Sequence, residues 1–211
     1  MPLKYAYHPG NVAHSGSPEV ADTMDAVARN LGLELTPLEG ATSCGAGIIK
    51  QANQRLQLAL NARTFAMAES LGLQILTPCA ATAGNLKQDL EKLRSDGILM
   101  KEINDVLIRT CGMEFTGNTE VHHLLHLLVD EIGLEKVEKL AVNKFDFKVA
   151  PYYSPYFQME GACGGDSVND PEYFERLVQS LGGRPIDWEG RVLSVGAPGI
   201  FSEEPTVLRQ S

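Results

Sequence analysis

The chain has 211 residues, of which 44% are hydrophobic and 21% charged, a length and balance that bury a sizeable core as one domain or two small ones. Its formal net charge of −9 and dispersed basic residues exclude a nucleic-acid surface, which needs clustered Lys and Arg to neutralise phosphates. No apolar stretch approaches the ~20 residues of a membrane span, and the N-terminus MPLKYAYHPG has no hydrophobic signal core, so the expectation is a cytoplasmic chain without a membrane span. Four widely spaced cysteines (Cys44, Cys79, Cys111 and Cys163) suit a reducing compartment rather than a disulfide framework.

Lys4 to His8 reads as a short strand followed by a Pro-Gly turn. Val20, Ala21, Met24, Val27, Ala28 and Leu31 then recur at helical spacing, and Gly32 stops the helix. Leu33 to Leu38 reads as a strand, and Ser43-Cys44-Gly45 as the turn into one long helical stretch ending near Leu71. Gln74 to Thr77 is a buried strand, followed by CAATAG and a helix to about Lys92. This alternation predicts a βαβα unit with a parallel sheet. Between Gly97 and Leu140 three more helical patterns follow, the clearest being Val121, Leu124, Leu125, Leu128 and Ile132. Strand signals return at Phe147 to Tyr153, and Pro171 to Leu181 reads as a helix with Asp170 as its N-cap. Gly182-Gly183 ends that helix, and Val192 to Val195 reads as the last strand.

In an open α/β sheet, the loops at the carboxyl ends of the strands gather at one crevice. Asn11, Cys44 and Cys79 each follow a predicted strand, so they are expected to converge there. Cys44 is expected to be the most reactive thiol, because a glycine-flanked turn opening a helix favours thiolate; Cys111 and Cys163 are read as structural. His122 and His126 lie four apart on one helical face, but no third ligand follows by spacing, so the histidines are read as hydrogen-bonding groups and no metal site is assigned. The glycines of CGAG, GACGG and VGAPG match no dinucleotide or phosphate-loop fingerprint and are read as turns.

Three segments together carry a family resemblance: YAYHPGNV around Asn11, TSCGAG around Ser43-Cys44-Gly45, and TPCAATAGNL around Cys79 and Thr82. They resemble the first cysteine-rich CCG domain of the heterodisulfide reductase B-subunit. In that pattern a Cys follows the first turn, a Cys-Cys-Gly comes roughly thirty residues later, and a Cys-x-x-Cys follows after a similar interval. Carried over, the thiol positions fall on Asn11, Ser43, Cys44, Cys79 and Thr82, so Cys44 and Cys79 alone keep sulfur. A weaker echo resembles the family's second set, with Pro155 in VAPYYSPYF and Ser194-Val195-Gly196 in VLSVGAPG at its positions, and no thiol among them. The chain ends at Ser211, before the final Cys-x-x-Cys of that pattern.

The resemblance implies two related βαβ-type halves with short parallel sheets flanked by helices, the second half incomplete. The division is expected at residues 1–140, with a helical insertion, and 141–211. It further implies an oxidoreductase family that holds noncubane iron–sulfur clusters and works in electron-transfer complexes with iron–sulfur or flavin subunits. Because clusters need converging thiolates, the replaced positions Asn11, Ser43, Thr82, Pro155, Ser194 and Val195 are vestigial, and no cofactor is expected. Three functions remain open: a cluster-free subunit or scaffold of a redox complex, a thiol/disulfide oxidoreductase using Cys44 and Cys79 or an atypical iron–sulfur cluster, and a small-molecule binding domain.

Overall fold

Residues 3–7 alternate about a strand axis and become β1 (Leu3–Tyr7), which pairs in parallel with β2 (Leu33–Pro37) on one side and β3 (Gln74–Thr77) on the other. The structure, a computed structural model, describes residues 2–10, 13, 17–159, 161–162, 164–194 and 196. A fourth strand, β4 (Val121–His123), adds to β3, giving an all-parallel sheet of order β2-β1-β3-β4. Register and pleat together sort the side chains: Ala6, Ile75 and Val121 share one face, while Tyr7 and Leu76 share the other.

Both faces are covered, as parallel sheets require. On the first face lie α3 (Gln54–Ser70), α4 (Ala80–Ser95) and α5 (Gly97–Cys111), through Leu58, Ala62, Phe65, Leu86, Leu90, Leu93, Ile103 and Leu107. The other face takes α1 (Pro18–Leu31), through Met24, Ala28 and Leu31, together with Leu127 and Leu128. The chain is thus α/β, with helices flanking a parallel sheet.

The expected long helix to Leu71 is two helices. After α2 (Ile48–Ala52), Asn53 leaves the helical region and its side chain accepts the Leu56 N–H at 3.0 Å, so that Asn53 caps α3 afresh. The helical stripe read from Val121 also divides. Val121 to His123 are drawn into the sheet by β3, and the helix starts only at Leu124, as α6 (Leu124–His126), continuing as a π-helix over Leu127–Ile132. Then α7 (Leu134–Leu140) follows.

Beyond residue 140, β5 (Lys148–Val149) and β6 (Arg184–Pro185) form a two-stranded parallel sheet, and α8 (Tyr173–Ser180) lies between them in sequence. The strand read at Phe147 to Tyr153 is thus two residues long. Val192, Leu193 and Ser194 are not in a strand, and Val195 lies outside the described residues. Asp170 does not cap α8; Asp166 takes that task, its carboxylate accepting the N–H groups of Glu172 (2.9 Å) and Tyr173 (3.1 Å), while Asp170 pairs with Arg191. Tyr153, Phe157 and Tyr173 pack with Leu125 of α6 into a small aromatic core that joins this segment to the larger sheet.

Candidate functional site

The loops that leave the carboxyl ends of β2 and β3 bring Cys44 and Cys79 together around Thr82. The Thr82 hydroxyl donates to Cys44 Sγ at 3.7 Å, and that thiol donates weakly to the Ala81 carbonyl at 3.9 Å. Gly10, in the loop after β1, closes the cluster from the third side. It has φ +85°, and a Cβ built on it would stand 2.4 Å from Cys79 Cβ and 3.1 Å from its Sγ, so only glycine fits this approach. Asn11, the next residue, lies outside the described residues, as do Val195 and Cys163.

The two thiols differ in setting. Cys44 is 1% exposed, and burial pushes its thiol up from the ordinary range; hydrogen bonds from the Ala46 N–H and Thr82 oppose this. It does not open a helix as expected, since α2 begins only at Ile48. Cys79 instead is the N-cap of α4 and is half-buried. Its N–H donates to Thr77 Oγ1 at 3.2 Å. Cys111, at the last turn of α5, is exposed.

Ser43 is exposed, and its Oγ accepts the Gly45 N–H at 3.1 Å. Ser194 makes the same turn, accepting from the Gly196 N–H at 3.1 Å, and the two glycines have φ +70° and +71°. Pro155 is half-buried in a turn whose carbonyl accepts the Gln158 N–H.

Sequence reading missed the polar ladder behind Cys44. Gln57 and Asn61 of α3 donate to the Cys44 carbonyl at 3.3 and 3.1 Å. Asn61 also donates to Asp89 of α4 at 2.6 Å, while Gln57 and Lys50 reach Asn85. Burial pushes the Asp89 carboxyl up, against Asn61, Lys50 and Lys92. The legible signal was the pairing of polar residues four apart on each helix, 57 with 61 and 85 with 89, which places them on one face.

The histidines are engaged without metal-ligand spacing. His123 is driven down to about 3 by burial and by its neighbour His126, and its ring nitrogens meet Pro78 O and Leu125 N. His126, 7% exposed with Nδ1 lacking a partner, falls to about 4 through burial first and the charge of Lys87 second. Among the described residues, no group of three His, Cys, Asp or Glu side chains is arranged to hold a metal ion. A pocket of ≈250 Å³ lies beside Cys79, lined by Pro78, Ala80, His123, Leu124, Leu128 and Phe174 among others. No helix among the described residues is long and apolar enough to cross a membrane.

Residues 5–87, which contain Gly10, both crevice thiols and Thr82, match the CCG cysteine-rich domain. The chain is 30% identical over 175 residues to the B-subunit of the ferredoxin/F(420)H(2)-dependent CoB-CoM heterodisulfide reductase of Methanosarcina acetivorans, covering 81% of this chain and 57% of that protein. It is 28% identical to the 8-methylmenaquinol:fumarate reductase membrane anchor subunit of Wolinella succinogenes over 215 residues, 100% of this chain and 73% of the relative. A crystal structure of a hypothetical protein from Helicobacter pylori shares the fold, with a TM-score of 0.67 and 13% identity over 100% of this chain and 38% of that one. The chain spans little more than half the length of the heterodisulfide reductase subunits it matches.

Proposed function

Because this chain belongs to the family of heterodisulfide reductase B-subunit-like CCG cysteine-rich proteins, we propose that it is a cluster-free subunit or scaffold of a disulfide reductase-type redox complex. The relatives' names make them subunits of multi-protein redox systems, which supports protein partners for this chain as well. We assign those partners as iron–sulfur or flavin subunits.

The observation that carries the cluster-free part is the Thr82–Cys44 contact. An iron–sulfur cluster needs several thiolates. Here the third group of the crevice is a hydroxyl that spends its proton on one of the two sulfurs, and Ser43 is exposed and closed onto its own turn. A hydroxyl bound to a buried neutral thiol does not fit the demand for soft anionic ligands. The vestigial positions Pro155, Ser194 and Val195 supply no sulfur either. The free cysteines Cys44, Cys79 and Cys111 support a reducing, cytoplasmic setting.

We read residues 1–140 as the first CCG-like unit and 141–211 as part of a second one. The repeated Ser-x-Gly turn at Ser43 and Ser194, and the order β5, α8, β6, which repeats β1, α1, β2, support this division.

A second reading is favoured by the adjacency of Cys44 and Cys79 about Thr82: a thiol/disulfide oxidoreductase in which the half-exposed Cys79 meets the substrate and Cys44 resolves the mixed disulfide. The third reading, a small-molecule binding domain, has less support, because the pocket beside Cys79 is apolar and both ring nitrogens of His123 are already engaged.

Anaerobic purification from the native source, followed by iron analysis, a visible spectrum and identification of co-eluting subunits, tests the proposal. The expected result is a chain without stoichiometric iron that co-elutes with a cofactor-bearing subunit. About four irons per chain, or a chain that elutes alone and reduces a disulfide through Cys79, overturns it.

A further inference from the structure

His8 stands one residue beyond β1, and His123 is the last residue of β4. Their environments repeat. His8 Nδ1 lies 3.0 Å from the Gly10 N–H, and His8 Nε2 lies 3.0 Å from the Thr42 carbonyl. His123 Nδ1 lies 3.1 Å from the Leu125 N–H, and His123 Nε2 lies 3.0 Å from the Pro78 carbonyl. A backbone N–H only donates, so Nδ1 of each ring is bare; a carbonyl only accepts, so Nε2 of each ring carries the proton. Both rings are therefore neutral and in the same tautomer.

The topology gives this repetition a purpose. The strand order is β2-β1-β3-β4, so Thr42 belongs to the loop after the neighbour of β1, and Pro78 to the loop after the neighbour of β4. Loops that have left a parallel ladder lose their strand partners, and their backbone groups need others. Each histidine supplies one across the gap, and each lands beside a thiol: Thr42 is two residues before Cys44, and Pro78 immediately precedes Cys79.

We propose that His8 and His123 are a matched pair of positioning residues, His8 holding the turn that carries Cys44 and His123 holding the turn that carries Cys79. The assignment is one histidine to one thiol. It does not depend on membership of a redox complex, because the two loops can be read in the isolated chain.

The test is timed iodoacetamide labelling of the full-length chain at pH 7.5, resolved by peptide mass spectrometry, with the exposed Cys111 as internal reference. Four variants are compared: His8→Gln, His8→Asn, His123→Gln and His123→Asn. Asparagine keeps an acceptor for the N–H two residues on but is too short to cross to the next loop, whereas glutamine reaches the carbonyl with an amide donor. His8→Asn is expected to raise the labelling rate of Cys44 about tenfold, the population change for losing one buried hydrogen bond, with Cys79 within about twofold. His123→Asn is expected to raise Cys79 about threefold, since it is already half-exposed, and to leave Cys44 within about twofold. Both glutamine variants should stay near wild type. If Gln and Asn behave alike at one position, or if each variant moves both thiols together, the pairing is wrong. Amide exchange at residues 42–45 and 77–80 covers a variant that folds poorly: its glutamine counterpart must protect only its own loop.

Discussion

Ser43 with Gly45 and Ser194 with Gly196 share one serine hydrogen bond and one glycine dihedral, yet they belong to regions built on different physics. The first follows a four-stranded sheet whose two faces are filled by aliphatic layers. The second follows a pair of two-residue strands and depends on edge-to-face aromatic contacts and on Arg191, whose guanidinium meets Glu175, Asp170 and the Pro171 carbonyl. A turn of four or so residues carries its own hydrogen bond and needs little sheet around it. Burial is another matter: Ser43 and Ser194 are both exposed, whereas Cys44, the residue after Ser43, is sealed among the side chains of α3 and α4.

The comparison predicts unequal responses to mutation. Phe65 is fully buried in the first region, and Phe65→Ala should cost about 3–5 kcal/mol of global stability in urea unfolding. Next in size is the joint between the regions, where His123 and His126 pack on Phe157. Both are bases whose folded values, about 3 and about 4, lie below their unfolded value near 6.5. The unfolded chain takes up protons first, so their contribution is complete above pH 6.5 and is lost as pH falls toward 4 and then 3. The loss at His126 is on the order of 3 kcal/mol. His126→Phe keeps the ring among Phe157 and Tyr173 while removing both the titration and an unpartnered Nδ1. Its unfolding midpoint should match or exceed wild type at pH 7 and lie well above it at pH 4; parallel pH profiles would place the acid sensitivity elsewhere.

Arg191→Ala should have a smaller and more local effect, about 1–2 kcal/mol, read as faster amide exchange in 147–194 with 3–7 and 74–77 unchanged. If the four-stranded sheet loosens equally, the two regions are a single cooperative unit and the contrast between them fails.

How far the sequence carried this picture depends on how local each signal was. β1, β2 and β3 were legible because their apolar runs sit between turn signals, and the meeting of Cys44 with Cys79 followed from parallel topology alone. β4 was hidden, because Val121 is in phase with Leu124, Leu125, Leu128 and Ile132 at helical spacing, and only pairing with Ile75 makes Val121 a strand residue. The same is true of β6, whose two residues take their structure from Lys148 and Val149. The burial of Cys44 was invisible too. Its glycine-flanked turn resembled a helix start, but the seal comes from Gln57 and Asn61, more than ten residues downstream. His8 had a faint signal, since a histidine two residues before Gly10 can accept its N–H as an Asx turn does, but the cross-loop partner Thr42 could not be read from spacing.

The smallest predicted effect has the opposite sign to the rest and tests what the ladder behind Cys44 contributes. Asp89 is buried, and burial raises its folded pKa above the ordinary 3.8 despite Asn61 and the charges of Lys50 and Lys92. For an acid shifted that way, the folded state holds the proton longer than the unfolded one. Stability is therefore highest at low pH as far as Asp89 is concerned, and it declines as pH rises from 3.8 through the folded value. Asp89→Asn removes the buried charge, and the new amide oxygen still accepts from Asn61 Nδ2, so the Asn61 bond to the Cys44 carbonyl survives. The variant should be more stable than wild type at pH 8 by about 1 kcal/mol or less, and the difference should vanish below pH 3.8. Labelling of Cys44 should remain as slow as in wild type. A variant less stable than wild type at pH 8, or one with a fast-labelling Cys44, would mean that the carboxylate itself holds the first region's turn in place.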